Sequence, residues 1–379
     1  MRDLIYVPIE PLAERYSEQW YRCMPQAFNA AGYENVYVIE GVPLLNNEIK
    51  VGTFLDINST THYKWSQLQT IARKFHEGSI KRGTVFFFAD IEFWGIESIR
   101  LLADMNGIDV CLTGFLHAAS YTREDAFAIA ADYQRYTEVG WIAALDKVFV
   151  GSSYHKRAVV ERRLKPLNAQ HLAERIVVTK NPVFIDEYPL HKCQKQKKVL
   201  LTNRFDPEKR PRETLLMFRE LKAEFSDWEF VVTTGRPDLR GDLTDVAIAR
   251  HLESEGTITI KDGLTKDQYH RELAEAHMVV THSIEENYGY CIAEALIYGC
   301  LPLMRRGLSH DEFVINSTHT EAFLFDYSTS MPPKFIYHED VADVAAARIL
   351  MRAYDECSIP APKLDMSGMG RIINELPSP

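Results

Sequence analysis

The sequence has few of the features that would assign a simple functional class. Its six cysteines include no Cys-x-x-Cys pair, so the chain shows neither a structural zinc motif nor the cysteine framework of a small secreted domain. Basic residues are not in excess, and a net charge of −10 argues against general affinity for polyanions. We expect reduced thiols that mostly serve packing at Cys23, Cys111, Cys193, Cys291, Cys300 and Cys357.

Long hydrophobic runs are also absent. No segment holds about 18 uninterrupted apolar residues, the length that a membrane-spanning helix needs. The first residues, MRDLIYVPIEPLAERY, lack the basic stretch and apolar run of a signal peptide, so we expect a cytoplasmic protein. With 46% hydrophobic and 25% charged residues among 379, the composition is that of a globular protein with two domains of ordinary size.

Apolar, β-rich runs alternate with helical patterns in the first half of the chain. Amphipathic stretches at 65–79 and 96–107 predict helices, and the second ends at a glycine, as helices often do. This alternation predicts a parallel sheet wrapped by helices. The predicted strands are 4–9, 35–40, 84–90, 109–117, 147–153 and 175–182.

The alternation pauses at a polar, basic, proline-containing stretch and then starts again. We interpret residues 187–198 as a linker between an N-terminal domain, 1–186, and a C-terminal domain, 199–340. Residues 341–379 are expected to form a helix, near 340–356, and an irregular tail that packs back towards the N-terminal domain. The second domain's predicted strands are 198–205, 228–236, 257–263 and 278–283, and its predicted helices are 211–225, 266–277 and one that begins near Gly289.

Two glutamates follow the predicted strand 278–283. The fold class is α/β, and sheets of this class bind ligands beyond the carboxyl ends of their strands, where we expect an interdomain cleft. In SIEENYGYCIAEALIYGCLP, Glu286 and Glu294 have seven residues between them in a segment otherwise apolar enough to be buried. Because an unpaired buried carboxylate is costly, we predict that a hydroxyl-rich sugar nucleotide supplies the missing partners. Alternatively, one glutamate caps the helix and the other is exposed.

Two cations follow the first strand of the same predicted domain. In NRFDPEKRP, Arg204 and Lys209 are separated by a turn that contains a proline. A pair of cations at a strand end can neutralise a diphosphate and stabilise it as a leaving group without a metal. The alternative is a surface loop with ordinary charges.

Together these features resemble the retaining GT-B glycosyltransferases, which use nucleotide sugars. The resemblance extends over most of 109–312 and implies a GT-B fold, in which two Rossmann-like parallel-sheet domains face each other across a cleft. It rests on Arg204-Phe-Asp-Pro-Glu-Lys209, Ser283-Ile-Glu-Glu286-Asn-Tyr-Gly289, Glu294-Ala and Gly299-Cys-Leu-Pro302.

The resemblance also implies roles for individual residues. Arg204 and Lys209 would hold the donor diphosphate, and Glu286 would act in catalysis by contacting the hydroxyls of the donor sugar. The implied donor is a UDP-, GDP- or ADP-linked sugar, transferred with retention of configuration and without an obligatory metal. The departing diphosphate would help to deprotonate the acceptor. The other donor-binding residues would be Tyr288, Gly289, Tyr290 and, at the ribose, Glu294.

In the first domain, the resemblance points to residues at strand ends. His117 ends CLTGFLH, where the family often keeps a histidine close to the reacting sugar, so we expect it to act in catalysis. A structural histidine is the alternative. The Gly-rich loop typical of the family is replaced by VPIEPLAERYSEQW, which predicts an unusual acceptor site. We assign Asp90 and Glu92 to that site; a turn or a helix start is the alternative.

The acceptor in this interpretation is a hydroxyl-bearing molecule. GFLHAASYTREDAF and ERYSEQWYRCM also resemble phage-encoded glycosyltransferases that modify hydroxymethylated pyrimidines in DNA, which would place the protein in a bacterium or a phage-infected cell. The basic stretch HKRAVVERRLK, residues 155–165, would then contact the DNA backbone; a solvated helix face is its other interpretation. A glycan or a small molecule is the other candidate acceptor.

Three alternatives remain open. The segment ADIE, residues 89–92, resembles the metal-binding element of GT-A glycosyltransferases, in which a divalent cation would replace the two basic side chains. A sugar-nucleotide epimerase, or a hydrolase with Glu286 and Glu294 as acid and base, would share the GT-B shape. A non-catalytic sugar or nucleic-acid binding protein is the third.

Overall fold

The computed structural model describes residues 2–12, 15–44, 56–122, 126–185, 193–236, 238–326, 342–356 and 358–379. The chain divides into two compact units: Met1–Phe184 with Met366–Pro379, and Ile185–Asp365. Residues 187–192 of the predicted linker, and residues 123–125 of GFLHAASYTREDAF, lie outside the described residues. Among the helices in the described ranges, none combines the length and apolar character needed to cross a membrane.

The first unit is built on a parallel sheet, as the alternating pattern predicts. Within its described residues the strand order is β2-β1-β3-β4-β5-β6, and all pairings are parallel. All six predicted strands are confirmed, but each is shorter than the apolar run that predicted it. The strands are β1 (Leu4–Val7), β2 (Val36–Val38), β3 (Val85–Phe88), β4 (Cys111–Leu116), β5 (Lys147–Val150) and β6 (Ile176–Val178).

Apolar side chains cover both faces of this sheet. Strand β3 shows why, because Phe86 and Phe88 belong to one apolar cluster while Phe87 belongs to the other, as the two-residue period of a strand dictates. The helices around the sheet are α1 (Tyr16–Ala30), α2 (Ile57–His76), α3 (Ile96–Met105), α4 (Ala131–Ala144) and α5 (Ser153–Val159).

The second unit repeats this plan. Its described strands are parallel in the order β12-β11-β10-β7-β8-β9. The four predicted strands are present, whereas β11 and β12 were not predicted. The strands are β7 (Gln196–Leu201), β8 (Glu229–Thr233), β9 (Thr259–Lys261), β10 (Ala276–Thr281), β11 (Leu301–Arg305) and β12 (Leu324–Phe325).

The helices of the second unit include the four that the sequence predicts, counting the one near 340–356, and a further one between β8 and β9. Helix α8 begins with a capping box, in which the Thr265 side chain accepts from the Gln268 amide and the Gln268 side chain accepts from the Thr265 amide. The helices are α6 (Pro211–Glu224), α7 (Leu243–Ser254), α8 (Lys266–Glu275), α9 (Tyr290–Ile297), α10 (Asp311–Val314), α11 (Thr320–Phe323) and α12 (Ala342–Glu356).

The end of the chain returns to the first unit as a helix, α13 (Gly368–Glu375). Ile372 is fully buried in the apolar cluster that contains Phe87. A side chain at position 368 would come within 2.7 Å of the Asn181 carbonyl, so the close approach of this helix requires glycine. The expectation of an irregular tail was therefore wrong for residues 368–375.

Candidate functional site

The predicted donor residues follow two neighbouring central strands of the second unit. The strand order reverses between β7 and β10, and ligands of open α/β sheets bind at such a switch point. The loop after β7 carries Arg204 and Lys209, and the loop after β10 carries Glu286. The Ile284 amide donates to the Glu208 carbonyl at 2.8 Å, which joins the two loops. The sheet topology thus brings together residues more than 70 positions apart in the chain.

Lys209 and Glu286 form a largely buried ion pair. The Lys209 Nζ lies 2.7 Å from the Glu286 Oε2, and the two side chains are only 13% and 16% exposed. Burial alone would lower the pKa of Lys209, but Glu286 and Glu208 outweigh it and raise that pKa. Burial alone would raise the pKa of Glu286, but Lys209 outweighs it, aided by His310, and lowers that pKa. Both side chains are therefore charged at neutral pH.

This pair corrects one step of the sequence argument. Glu286 does not lack a partner inside the protein, because the cation predicted to bind a diphosphate occupies its carboxylate. Glu294 is also engaged, since the Tyr269 hydroxyl on α8 donates to its Oε2 at 3.2 Å. The two glutamates thus have different partners, a lysine for Glu286 and a tyrosine for Glu294.

Arg204 is much more accessible than Lys209. Its guanidinium makes ion pairs with Asp206 at 2.7 Å and Glu208 at 3.1 Å, and its side chain is 47% exposed. Burial raises the pKa of Glu208, against the opposing effect of Lys209 and Arg204. The loop therefore carries one exposed and one buried cation, both balanced by carboxylates.

The turn that contains Gly289 shapes the start of α9. Gly289 has a φ of 92° at the N-cap, a left-handed conformation that favours glycine. A Cβ there would lie 3.4 Å from the Glu286 Cγ and 3.5 Å from the Phe313 Cε2, so the glutamate packs directly against this backbone. The first-turn amides of α9, beginning with that of Tyr290, suit an anion or a sugar oxygen.

Tyr288 is a buried part of the same turn. Its ring centroid lies 5.3 Å from that of Tyr290 and 5.4 Å from that of Phe313. Among the described residues its hydroxyl has no hydrogen-bond partner, and burial raises its pKa well above the usual value. Tyr288 therefore helps to form the wall of the turn, beside Tyr290.

His310, which no motif in the sequence identified, is fully buried beside this cluster. Its Nδ1 lies 3.0 Å from the Arg305 carbonyl, while its Nε2 has no partner within the described part of the chain. Burial lowers the pKa of His310, although Glu286 acts in the opposite direction. A polar residue that follows the unpredicted strand β11 is the signal that could have identified it.

In the first unit, Asp90 and His117 follow the neighbouring strands β3 and β4. Asp90 forms a 2.8 Å ion pair with the buried Lys64 of α2, and the Glu92 amide donates to its other oxygen at 3.1 Å. Burial would raise the pKa of Asp90, but Lys64 and His117 lower it. The Lys64 ammonium also donates to the Glu92 carbonyl. The structure thus places Asp90, Glu92 and His117 around one buried lysine.

His117 is held by an aromatic shell. Its Nε2 lies 2.8 Å from the Ala89 carbonyl, so this nitrogen donates. The ring centroids of Tyr16 and Trp20 lie 5.2 and 5.0 Å from that of His117. Burial lowers the pKa of His117 against the effect of Asp90, which favours a neutral imidazole at physiological pH. In the described residues, no cluster of three or more His, Cys, Asp or Glu side chains could hold a metal ion.

The basic stretch 155–165 is only in part the solvated face that the sequence suggested, because Arg157 and Lys165 are exposed but other residues are buried. Arg163 is buried, forms an ion pair with Glu138 and donates to the Ser120 hydroxyl at 3.0 Å. His155 is also buried, and its Nε2 lies 2.6 Å from the Tyr121 hydroxyl. These two residues are structural, so Arg163 is not available to contact a DNA backbone.

Comparisons with known proteins identify the fold. No protein-family model and no curated protein sequence matches this chain. Among solved structures, the catalytic domain of starch synthase IV from Arabidopsis thaliana, bound to ADP and acarbose, is similar with a TM-score of 0.62 and 12% identity, covering 100% of this chain and 96% of that one.

Two further similar structures belong to longer proteins. TarM has a TM-score of 0.51 and 19% identity, covering 83% of this chain. The pneumococcal O-GlcNAc transferase GtfA, in complex with UDP and GlcNAc, has a TM-score of 0.53 and 16% identity, covering 89% of this chain. The chain spans only 56% of TarM and 61% of GtfA.

These likenesses and the two parallel sheets confirm the predicted fold class. The chain has a two-domain, Rossmann-like α/β fold of the kind found in GT-B glycosyltransferases. The GT-A alternative, suggested by the segment ADIE, is wrong. Asp90 in that segment is paired with Lys64.

Proposed function

We propose that this protein transfers a sugar from a nucleoside-diphosphate sugar to a hydroxyl acceptor, with retention of configuration. The observation that carries the proposal is the cluster at the switch point of the second unit, where Lys209 contacts Glu286 and Arg204 lies on the same loop. Two cations that can bind a diphosphate therefore lie next to a carboxylate that can bind a sugar. The fold shared with starch synthase IV and GtfA supports this choice.

In the proposed donor complex, Arg204 and Lys209 bind the diphosphate. Arg204 is accessible and presents a planar fork of donors that suits phosphate oxygens. Lys209 has three N–H donors, of which the bond to Glu286 uses one. As the sugar–phosphate bond breaks, negative charge accumulates on the diphosphate, and these cations stabilise it without a metal.

The sugar and nucleoside are assigned to the glutamates and the Gly289 turn. Glu286 accepts hydrogen bonds from sugar hydroxyls, while the first amides of α9, after Gly289, donate to sugar or phosphate oxygens. Glu294 accepts from the ribose, a role that the Tyr269 hydroxyl orients. Tyr288 and Tyr290 form the wall beside them.

The proposed chemistry exchanges one bond to the anomeric carbon for another. The bond between that carbon and the diphosphate oxygen breaks, and the acceptor oxygen forms a new bond on the same face. The acceptor proton passes to the departing diphosphate. The products are a nucleoside diphosphate and an α- or β-glycoside with the configuration of the donor.

The carboxyl edge of the first unit's sheet is assigned to acceptor binding. Asp90 is held in its charged form by Lys64 and is suited to accept a hydrogen bond from an acceptor hydroxyl. Glu92 is part of the same cluster through its backbone. His117, fixed by the Ala89 carbonyl, is assigned to the reacting sugar.

The first experiment identifies the donor by thermal shift with UDP, GDP and ADP and with their glucose conjugates. A ligand that binds only the folded state raises the melting temperature by mass action. We expect one base to be preferred. Similar structures contain ADP in starch synthase IV and UDP in GtfA, so both belong in the panel.

The second experiment measures release of the nucleoside diphosphate with an acceptor panel of glycans, small alcohols and duplex DNA containing hydroxymethylated pyrimidines. We expect release to depend on an acceptor, and Lys209→Ala to lower it by at least 100-fold. Arg271→Ala, which breaks an exposed pair with Asp267, is the control. Acceptor-independent release would instead indicate a hydrolase. Stabilisation by none of the six ligands would refute the proposal.

A further inference from the structure

We infer that His310 contacts the sugar of the donor and accepts a hydrogen bond from one of its hydroxyls. The inference rests on the proposed function and adds a specificity-determining residue to it. It identifies a side chain that lies outside the Arg204–Lys209 and Glu286–Glu294 motifs.

The position of His310 is set by contacts with the Gly289 turn. His310 lies between β11 and α10, and the preceding residue, Ser309, is joined to that turn twice. The Ser309 amide donates to the Glu286 carbonyl at 3.4 Å, and its hydroxyl donates to the Tyr288 carbonyl at 3.0 Å. Phe313, one helical turn further, packs on Tyr288. His310 is therefore built into the wall of the proposed donor site.

The tautomer of His310 follows from its one hydrogen bond. A carbonyl oxygen can only accept, so the Nδ1 must donate to the Arg305 carbonyl 3.0 Å away. In the neutral ring the Nε2 is then an acceptor. This nitrogen is buried and has no partner among the described residues. Buried polar atoms are nearly always satisfied, so an unsatisfied one beside a candidate site indicates a ligand contact.

The charges around His310 restrict what that ligand group can be. Glu286, Lys209 and Asp311 all influence the ring, yet burial dominates and lowers the pKa of His310, which keeps it neutral. A neutral acceptor cannot hydrogen-bond to a phosphate oxygen, which also only accepts. A sugar hydroxyl can donate to the Nε2 while accepting from another group.

The Lys209–Glu286 pair lies close enough to His310 for both charges to influence its ring. In the structure, Lys209 bonds directly to Glu286 at 2.7 Å, so both groups are engaged with each other. A diphosphate bound to the remaining N–H groups of Lys209 would bring the attached sugar next to Glu286 and His310.

The test compares His310→Phe, which keeps a ring but removes the acceptor, with His310→Gln, which retains an acceptor. Calorimetric titrations use the nucleoside diphosphate that stabilises the wild type most, its glucose conjugate, and conjugates of 2-, 3-, 4- and 6-deoxyglucose. We expect His310→Phe to bind the diphosphate within about twofold of the wild type but the glucose conjugate at least tenfold more weakly. His310→Gln should recover most of that loss.

The deoxy sugars measure the coupling between the His310 side chain and each hydroxyl of the sugar. At the hydroxyl that donates to His310, the deoxy sugar should weaken wild-type binding but leave binding to His310→Phe unchanged. If His310→Phe does not fold, His310→Ala replaces it in the same panel. Additive losses at all four positions would overturn the inference while leaving the proposed function intact. Failure of the wild type to bind any nucleoside diphosphate or conjugate would overturn both.

Discussion

Replacing Lys209 by Met would leave the Glu286 carboxylate without its cationic partner. The burial of that carboxylate indicates how far the free energy of unfolding should fall. The methionine keeps the length of the side chain but leaves a carboxylate that is only 16% exposed without its 2.7 Å partner. Breaking a buried ion pair typically costs about 3–5 kcal/mol. We expect the free energy of unfolding to fall by about 3 kcal/mol, the lower end of that range, because Arg204 also lowers the pKa of Glu286.

Thermal melting and urea titration measure this loss. For a domain of this size, about 3 kcal/mol corresponds to a fall of about 6–12 °C in melting temperature. The double variant Lys209→Met with Glu286→Gln removes both charges and should recover about 1–3 kcal/mol through coupling. Arg271→Met is the control in the same unit, because its pair with Asp267 is 61% and 49% exposed and should cost less than about 1 kcal/mol.

The pH dependence of stability provides a second test of the Lys209–Glu286 pair. The lowered pKa of Glu286 contributes stability that is present above about 4.5 and is lost as pH falls through the lower folded value. The stability difference between the wild type and Glu286→Gln should therefore shrink below pH 4.5. A loss in Lys209→Met no larger than in Arg271→Met, or a double variant whose loss is the sum of the single losses, would refute the reasoning.

Three further predictions concern residues around the two sheets. Burial lowers the pKa of His155 from 6.5 to about 3, so the stability that the neutral ring contributes is present above pH 6.5 and is lost on acidification towards 3. Urea midpoints of His155→Gln should therefore depend less on pH over that range than those of the wild type. Arg163→Met should lower the free energy of unfolding by about 3–5 kcal/mol in thermal melts, because it leaves the buried carboxylate of Glu138 unpaired. The exposed control Arg157→Met should not, and equal stability of the two variants would contradict the buried pair. Gly289→Ala should lower the free energy of unfolding by about 1–2 kcal/mol, because alanine disfavours the left-handed backbone at this position, and it should also weaken donor binding. An unchanged affinity for the donor in calorimetry would argue against contact between this turn and the donor.

Most of the sheet architecture could be predicted from the sequence because parallel strands are continuous apolar runs. The run TVFFFAD is one example, since both of its faces are buried and no polar residue interrupts it. Strand β11 escaped prediction because it contains Pro302, a residue that an interior strand disfavours. Helix α13 escaped because Gly368 and Gly370 weaken helix propensity, and its formation depends on packing of Ile372 against residues far away in the chain.

The sequence identifies residues of the site by their type and by their position after a strand, but it does not show which of them contact each other. Arg204, Lys209 and Glu286 were identified as residues that follow strands of one domain. That Lys209 pairs with Glu286 could not be predicted, because it depends on the loops of β7 and β10 being neighbours in space. For the same reason, Arg163 was expected at the surface, since its partner Glu138 lies on another helix.

The return of α13 to the first unit has a consequence for synthesis on the ribosome. The Tyr33 hydroxyl donates to the Pro377 carbonyl, and Lys147 contacts Glu375 at 2.6 Å, so the segment that contains α13 stabilises the unit to which Tyr33 and Lys147 belong. Nascent chains usually mature from the N-terminus onwards. Here the unit that is made first can bury its hydrophobic interior fully only after residues 366–379 have left the exit tunnel, by which time the intervening unit has already been translated.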